Sequence, residues 1–120
     1  MTVRDSSLSL RHMLDHAEEA VSLARGKSRP DLDNDRLLNL SLVRLLEIIG
    51  EAANRISFEN QQRYPTIPWQ QIIGLRNRLI HGYDAVDFDI LWQIVTVDLP
   101  PLVNVLKEIL ENNSERDPQK

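Results

Sequence analysis

Apolar residues recur at steps of three and four along almost the whole chain, and no stretch keeps up the alternation of a strand. Leu10, Met13, Ala17, Val21 and Ala24 predict a first helix, which Gly26 and the following Lys27, Ser28, Arg29 and Pro30 bring to a stop. Asp31, Asp33, Asn34 and Asp35 then offer caps and favourable charge for a second helix, the longest, from Asp33 to about Asn60. Its stripe is Leu38, Leu42, Leu45, Ile49, Ala52 and Ile56. Leu46, Ile48 and Ala53 widen that stripe to an arc of roughly 160°, where a surface helix needs only ~100°. Ser41 is the one polar interruption, and its hydroxyl can bond back to the preceding turn. Arg44, Glu47, Glu51 and Arg55 line the opposite side at pairing distances. So wide an arc implies burial on two sides, either in the core and against another chain or within a crowded bundle.

Pro65 and Pro68 punctuate the next connection, and Pro68 suits the first turn of a third helix, Trp69 to about Gly82. Asp84, Asp87 and Asp89 lead into a fourth helical stretch carrying Phe88, Leu91, Trp92 and Val95. Asp98 with Leu99, Pro100 and Pro101 reads as the cap and first turn of a last helix, which carries Leu102, Leu106, Ile109 and Leu110. With no internal repeat or domain boundary, the expected fold is a single all-α bundle of four to five helices over residues 1–112. The polar residues 113–120 are expected to form a disordered tail.

Composition narrows the function. At 120 residues the chain can bury about two-thirds of its unfolded surface without a metal or disulfides. The absence of cysteine excludes a disulfide scaffold, thiolate zinc sites and a cysteine nucleophile. No uninterrupted apolar run approaches the ~20 residues of a membrane span, and no signal peptide opens the sequence, so a cytoplasmic protein without a membrane partner is expected. Fourteen basic against eighteen acidic residues give a net charge of −4, which argues against a broad nucleic-acid-binding face. Eleven of the fourteen cations are nevertheless arginine, the better fork for phosphate, so contact with nucleic acid would be confined to a local site.

The third helix holds the candidate chemistry. On a regular helix Trp69, Ile72, Ile73, Leu79 and Ile80 fall within about 60° of Arg76, which puts a guanidinium in an apolar stripe. Such a group needs an anion or hydrogen-bond acceptor, supplied by a ligand or by Glu47 or Glu51 of the long helix. Gln70, Asn77 and His81 form a polar flank, and Tyr83 projects back onto the Arg76 line beyond Gly82. Taken singly, His81 is a histidine at a helix C-terminus and Tyr83 an ordinary half-buried aromatic.

Together, Arg76-Asn77-Arg78-Leu79-Ile80-His81-Gly82-Tyr83 resembles the R-x-x-x-x-H-x-Y motif of the HEPN superfamily, in its HepT branch. Ile48-Ile49-Gly50-Glu51-Ala52, Ile67-Pro68-Trp69 and Asp98-Leu99-Pro100 resemble the same branch, so the likeness covers nearly the whole chain. The resemblance implies a homodimeric HEPN bundle and a metal-independent endoribonuclease, the toxin of a pair with an MNT-type minimal nucleotidyltransferase antitoxin. It implies Arg76 and His81 as catalytic residues, with the two motifs facing each other across the two-fold axis. Asn77 would orient His81 or touch phosphate, Arg78 would contact the RNA backbone, and Tyr83 would accept AMP from the partner enzyme. The substrate would be tRNA or mRNA, with no cofactor and no metal. A regular helix would set Arg76 and His81 ~140° apart, so either the helix end bends or two chains share a site, and the wide apolar arc favours the second.

Two other readings differ in kind: a non-catalytic HEPN module that docks a nucleotidyltransferase or RNA, and a helical dimerisation protein whose Arg76 makes an internal salt bridge. His12, Asp15 and His16 share a face but lack the further ligand that zinc requires. Asp84, Asp87 and Asp89 sit where a helix start favours negative charge, and there is no Gly-rich phosphate loop or nucleophile elbow.

Overall fold

Local sequence signals and the tertiary packing agree over most of the molecule. The computed structural model describes residues 3–81 and 85–116. Helix α1 (Val3–Ala24) ends at Gly26, whose φ of 78° is the left-handed conformation that glycine adopts freely. A single turn, α2 (Asp31–Asn34), precedes the long helix α3 (Arg36–Arg55). The boundary lies at Asp35, whose side chain accepts from the Leu38 N–H, so the long helix starts later than Asp33. It also ends before Asn60: Ile56 turns extended, and Ser57 caps a separate turn, α4 (Phe58–Gln61), by accepting from the Asn60 N–H.

Helices α1 and α3 pack along their lengths. Leu10, Met13, Ala17 and Ala20 of α1 and Leu42, Leu46, Ile49, Ala52 and Ala53 of α3 are fully buried between them and their neighbours. Leu46 and Ala53, two of the positions that widen the apolar arc, are thus consumed within one chain. The crowded-bundle explanation suffices for these two, while Ile48, the third widening position, is only half-buried within the chain. Asn39 is also buried. Its side-chain amide donates to the Leu32 carbonyl at 2.9 Å and ties α2 to α3, a role its sequence position did not announce.

The predicted third helix is two short ones, α5 (Trp69–Ile73) and α6 (Leu75–Leu79), joined at Gly74. With φ −87° and ψ 9°, Gly74 leaves the helical region and interrupts the helix between Ile73 and Leu75. The buried face of α6 is Leu75 and Leu79, and Arg76 lies exposed. Ile80 then goes extended, and β1 (Ile80–His81) pairs antiparallel with β2 (Ala85–Val86), Ile80 opposite Val86 and His81 opposite Ala85. The Asp87 N–H donates to the Leu79 carbonyl at 2.8 Å and extends this small hairpin by one rung.

Asp87 also caps α7 (Phe88–Gln93), accepting from the N–H groups of Asp89 and Ile90. No break separates α7 from the last helix. Residues Ile94–Asp98 form a π-helical turn that runs directly into α8 (Leu99–Arg116), with the Leu99 N–H donating to the Ile94 carbonyl. Asp98 is therefore not the N-cap expected from its neighbours. The wider turn falls where the ladder meets Pro100 and Pro101, which have no N–H to give. The Thr96 hydroxyl donates to the Trp92 carbonyl at 2.7 Å within the same turn. Helix α8 runs to Arg116, past the boundary at residue 112 that composition suggested.

The stretch Phe88–Asn113 has the length and mean hydropathy of a membrane span, but its apolar residues serve the core. Leu91, Ile94, Val95, Leu99, Leu102 and Leu106 are buried, and α8 packs on α1. Arg29 staples the start of α7 to the α1–α3 connection. It meets Asp89 at 2.7 Å and Asp33 at 3.1 Å, with Phe88 under its guanidinium at 5.9 Å. The hydrogen bond to Asp89 is the main reason its protonated form is held beyond the ordinary arginine range. The all-α expectation holds, with the two-residue hairpin as the single departure among the described residues.

Candidate functional site

Among the described residues, the motif begins on helix α6 and passes into strand β1. Arg76, Asn77 and Arg78 lie on α6, and His81 ends β1 immediately before the loop. Gly82, Tyr83 and Asp84 lie outside the described residues, as does the side chain of His81. Because the helix ends at Leu79, the ~140° separation calculated for Arg76 and His81 on a regular helix does not describe this molecule. The chain bends ahead of His81, three residues before the Gly82 at which an end was expected.

Arg76 is 71% exposed, the opposite of the stripe position projected for it. Its Nε lies 3.6 Å from Oε2 of Glu47, one of the two acids expected to face it. Glu47 is only 24% exposed and also lies 3.7 Å from a terminal nitrogen of Arg44, which in turn lies 3.6 Å from Glu51. An ion pair this open adds about 0–1 kcal/mol to stability, so folding does not account for an arginine here. The group is free to exchange its carboxylate for another anion.

Gly50 brings these helices together. A Cβ there would stand 3.0 Å from the Ile72 carbonyl oxygen and 3.6 Å from that of Ile73. Glycine thus allows the end of α5 to rest directly on α3, which carries Arg76 to Glu47. The resulting cleft, about 170 Å³, is lined by Glu47, Gly50, Glu51, Asn54, Ile73 and Arg76. A glycine inside a long apolar helix is the sequence signal for such an approach, although it does not say which element approaches.

Arg78 faces elsewhere. It is 39% exposed and lies 3.6 Å from Asp98 of the π turn, at the edge of a larger groove of about 640 Å³ walled by Ile72, Leu75, Ile94 and Leu102. The larger cavity is thus not the one that holds the motif arginine. Asn77 is exposed and belongs to neither cavity's lining. The structure brings Arg76 together with Glu47, separates it from Arg78, and puts the His81 backbone at the end of the strand that continues α6.

On α1, the Nδ1 of His16 lies 2.7 Å from the His12 carbonyl, which ties the ring to its own helix. Among the described residues no three histidine, aspartate or glutamate side chains group as a metal ion would need.

Comparison with known proteins adds to this geometry. A family model described as "Ribonuclease HepT-like" matches residues 13–109. A protein of Caldanaerobacter subterraneus subsp. tengcongensis named "Putative RNase" is 36% identical over 102 residues, 85% of this chain and 91% of its own length. A protein of Methanocaldococcus jannaschii with the same designation is 33% identical over 102 residues, 85% of this chain and 94% of its own. A "Probable ribonuclease HepT" of Thermococcus cleftensis is 35% identical over 98 residues, covering 78% and 89%. No solved structure matches the chain.

Proposed function

Since the chain belongs to the ribonuclease HepT-like family of the HEPN superfamily, we propose that it is a metal-independent endoribonuclease, the toxin of a pair whose antitoxin is an MNT-type nucleotidyltransferase. The observation that carries this reading is the exposed Arg76. It stands at a cleft one turn ahead of the hairpin that bears His81, and folding does not require it there.

The chemistry needs few groups. The 2′-hydroxyl of a ribose loses its proton to a base and attacks the adjoining phosphorus, the bond to the 5′-oxygen breaks, and that oxygen takes a proton from an acid. A 2′,3′-cyclic phosphate and a 5′-hydroxyl result. Histidine titrates where it can accept the first proton and return the second, which is the role of His81. Arg76 offers a planar fork to the non-bridging oxygens, where negative charge builds up in the transition state. Asn77 orients His81 or touches phosphate, and Arg78, on a different side of α6 from Arg76, contacts the RNA backbone. Two chains form the active unit in the cytoplasm, with tRNA or mRNA as substrate, and the antitoxin silences it by attaching AMP to Tyr83.

Cleavage of RNA by the purified protein should persist in excess chelator, leave 2′,3′-cyclic phosphate ends, and disappear in His81→Ala with the helical signal unchanged. Magnesium dependence or 3′-hydroxyl ends would mean a different reaction. A second reading, a non-catalytic module that docks the nucleotidyltransferase or RNA, draws support from the pairing of both motif arginines with acids of the same chain. It is favoured if RNA is bound but left intact.

A further inference from the structure

Four charged side chains alternate in sign across the seam between α3 and α6: Glu51, Arg44, Glu47 and Arg76, in steps of 3.6, 3.7 and 3.6 Å. The members differ in how firmly they are held. Glu47 is 24% exposed, whereas Arg44 and Arg76 are 61% and 71% exposed. The carboxylate is therefore the anchored member, and the arginines reach to it from solvent. At 3.6 and 3.7 Å its separations lie just beyond hydrogen-bond length, so a small side-chain shift brings either guanidinium into a bond with it. The approach to Arg76 is at Nε, along one edge of the planar group, which leaves the two terminal nitrogens on the remaining edge to fork an anion.

We propose that Glu47 is a positioning residue, which holds the Nε edge of Arg76 against the cleft so that the terminal nitrogens face the scissile phosphate. The proposal rests on the ribonuclease reading of Arg76 and adds to it a residue outside the motif. Glu47 has two opposed effects. Its shape biases the fork toward the cleft before RNA arrives, which favours turnover. Its negative charge, a few ångströms from the incoming phosphate, weakens capture.

These effects separate in kinetics. Truncation in Glu47→Ala frees the fork and should lower kcat by roughly ten- to a hundred-fold, the penalty of a misplaced catalytic group. Glu47→Gln keeps an oxygen that can accept from Nε–H but removes the charge. It should restore kcat to within about threefold of the native value and lower KM. Both variants should unfold close to the native temperature, since the arginines that Glu47 pairs with lie largely in solvent. The proposal is overturned by an unchanged kcat in Glu47→Ala, by a Gln form as impaired as the Ala form, or by a loss of kcat that follows a loss of thermal stability. Native protein assayed alongside separates the two levels of inference. If it leaves RNA intact the ribonuclease reading fails, and Glu47 with it. If it cuts RNA while Glu47→Ala cuts equally well, only the positioning role fails.

Discussion

Arg76 and Arg78 are two positions apart and face different surroundings. The first reaches over α3 to Glu47, the second over the π turn to Asp98. If they act as proposed, the losses on substitution differ in kind. Arg76→Ala removes charge stabilisation that exists only in the transition state and should lower kcat by roughly 100-fold or more. Arg78→Ala removes at most a backbone contact and should weaken RNA binding uniformly, reducing the salt dependence of affinity by about one counterion. Steady-state kinetics at two salt concentrations measures both. Tyr83 is the residue at which silencing would act. An AMP group there would add a phosphodiester negative charge to the motif, which would repel incoming RNA. Tyr83→Phe keeps the ring without the acceptor oxygen, so it should cut RNA yet escape the nucleotidyltransferase. Intact-mass measurement after co-expression should find AMP-sized additions on the native chain alone, and additions that persist on the Phe form would move the switch to another residue.

At the scale of elements, Gly50 and Gly26 make a useful pair. Alanine at Gly50 gains helix propensity but drives a Cβ to 3.0 Å from a backbone carbonyl that cannot move without α5. Overpacking of this kind costs about 1–3 kcal/mol, and the displaced α5 would carry α6 and Arg76 away from Glu47. Gly50→Ala should therefore lower activity more than stability. Gly26 has nothing within 4 Å but a φ of 78°, so Gly26→Ala should lose about 1 kcal/mol through backbone strain and leave activity intact. Thermal unfolding and cleavage assays on both variants check the contrast.

The same elements explain what the sequence could reveal. Helices α1 and α3 follow from periodicity because their apolar faces are set by one regular turn after another. The break at Gly74 does not, since an isolated glycine is tolerated inside a helix and only packing on α3 decides that this one ends it. The projection centred the apolar stripe on Arg76, whereas the buried face runs through Ile72, Leu75 and Leu79 and leaves Arg76 at its edge. Likewise Asp98-Leu99-Pro100 satisfies the pattern of a cap, yet a π turn accommodates the same prolines without a stop. An acid of the polar stripe of α3, Glu47 or Glu51, was legible as a partner for Arg76, and the packing selects Glu47. The partnership of Arg78 with Asp98 was not, since it depends on the continuity of α7 with α8.

For the whole molecule, the leading question is how many chains make one site. The monomer measures 48 × 30 × 20 Å and buries most of the wide α3 arc by itself, leaving Ile48 of that arc half-buried and Leu37 and Leu40 of the same helix exposed. If two chains build one cleft, inactive Arg76→Ala and His81→Ala subunits should regain partial activity when mixed. The recovered cleft would combine Arg76 from one chain with His81 from the other. Verified heterodimers without activity would instead mean two self-contained sites, or a need for both copies of each residue.

The packing of α1 has a consequence for how the protein is made. This helix divides its apolar face between α3, which follows it closely, and α8, which lies beyond the entire site-bearing stretch. During synthesis Arg76 and His81 leave the ribosome before Leu102, Leu106 and Leu110 are available to cover α1. Until then α1 lacks the part of its cover that α8 supplies, and these contacts join the most distant elements in sequence, the kind that form slowly. The cleft is thus translated early but acquires a rigid frame only late, when α8 docks. A nascent chain carries the residues of a nuclease before it has the shape of one.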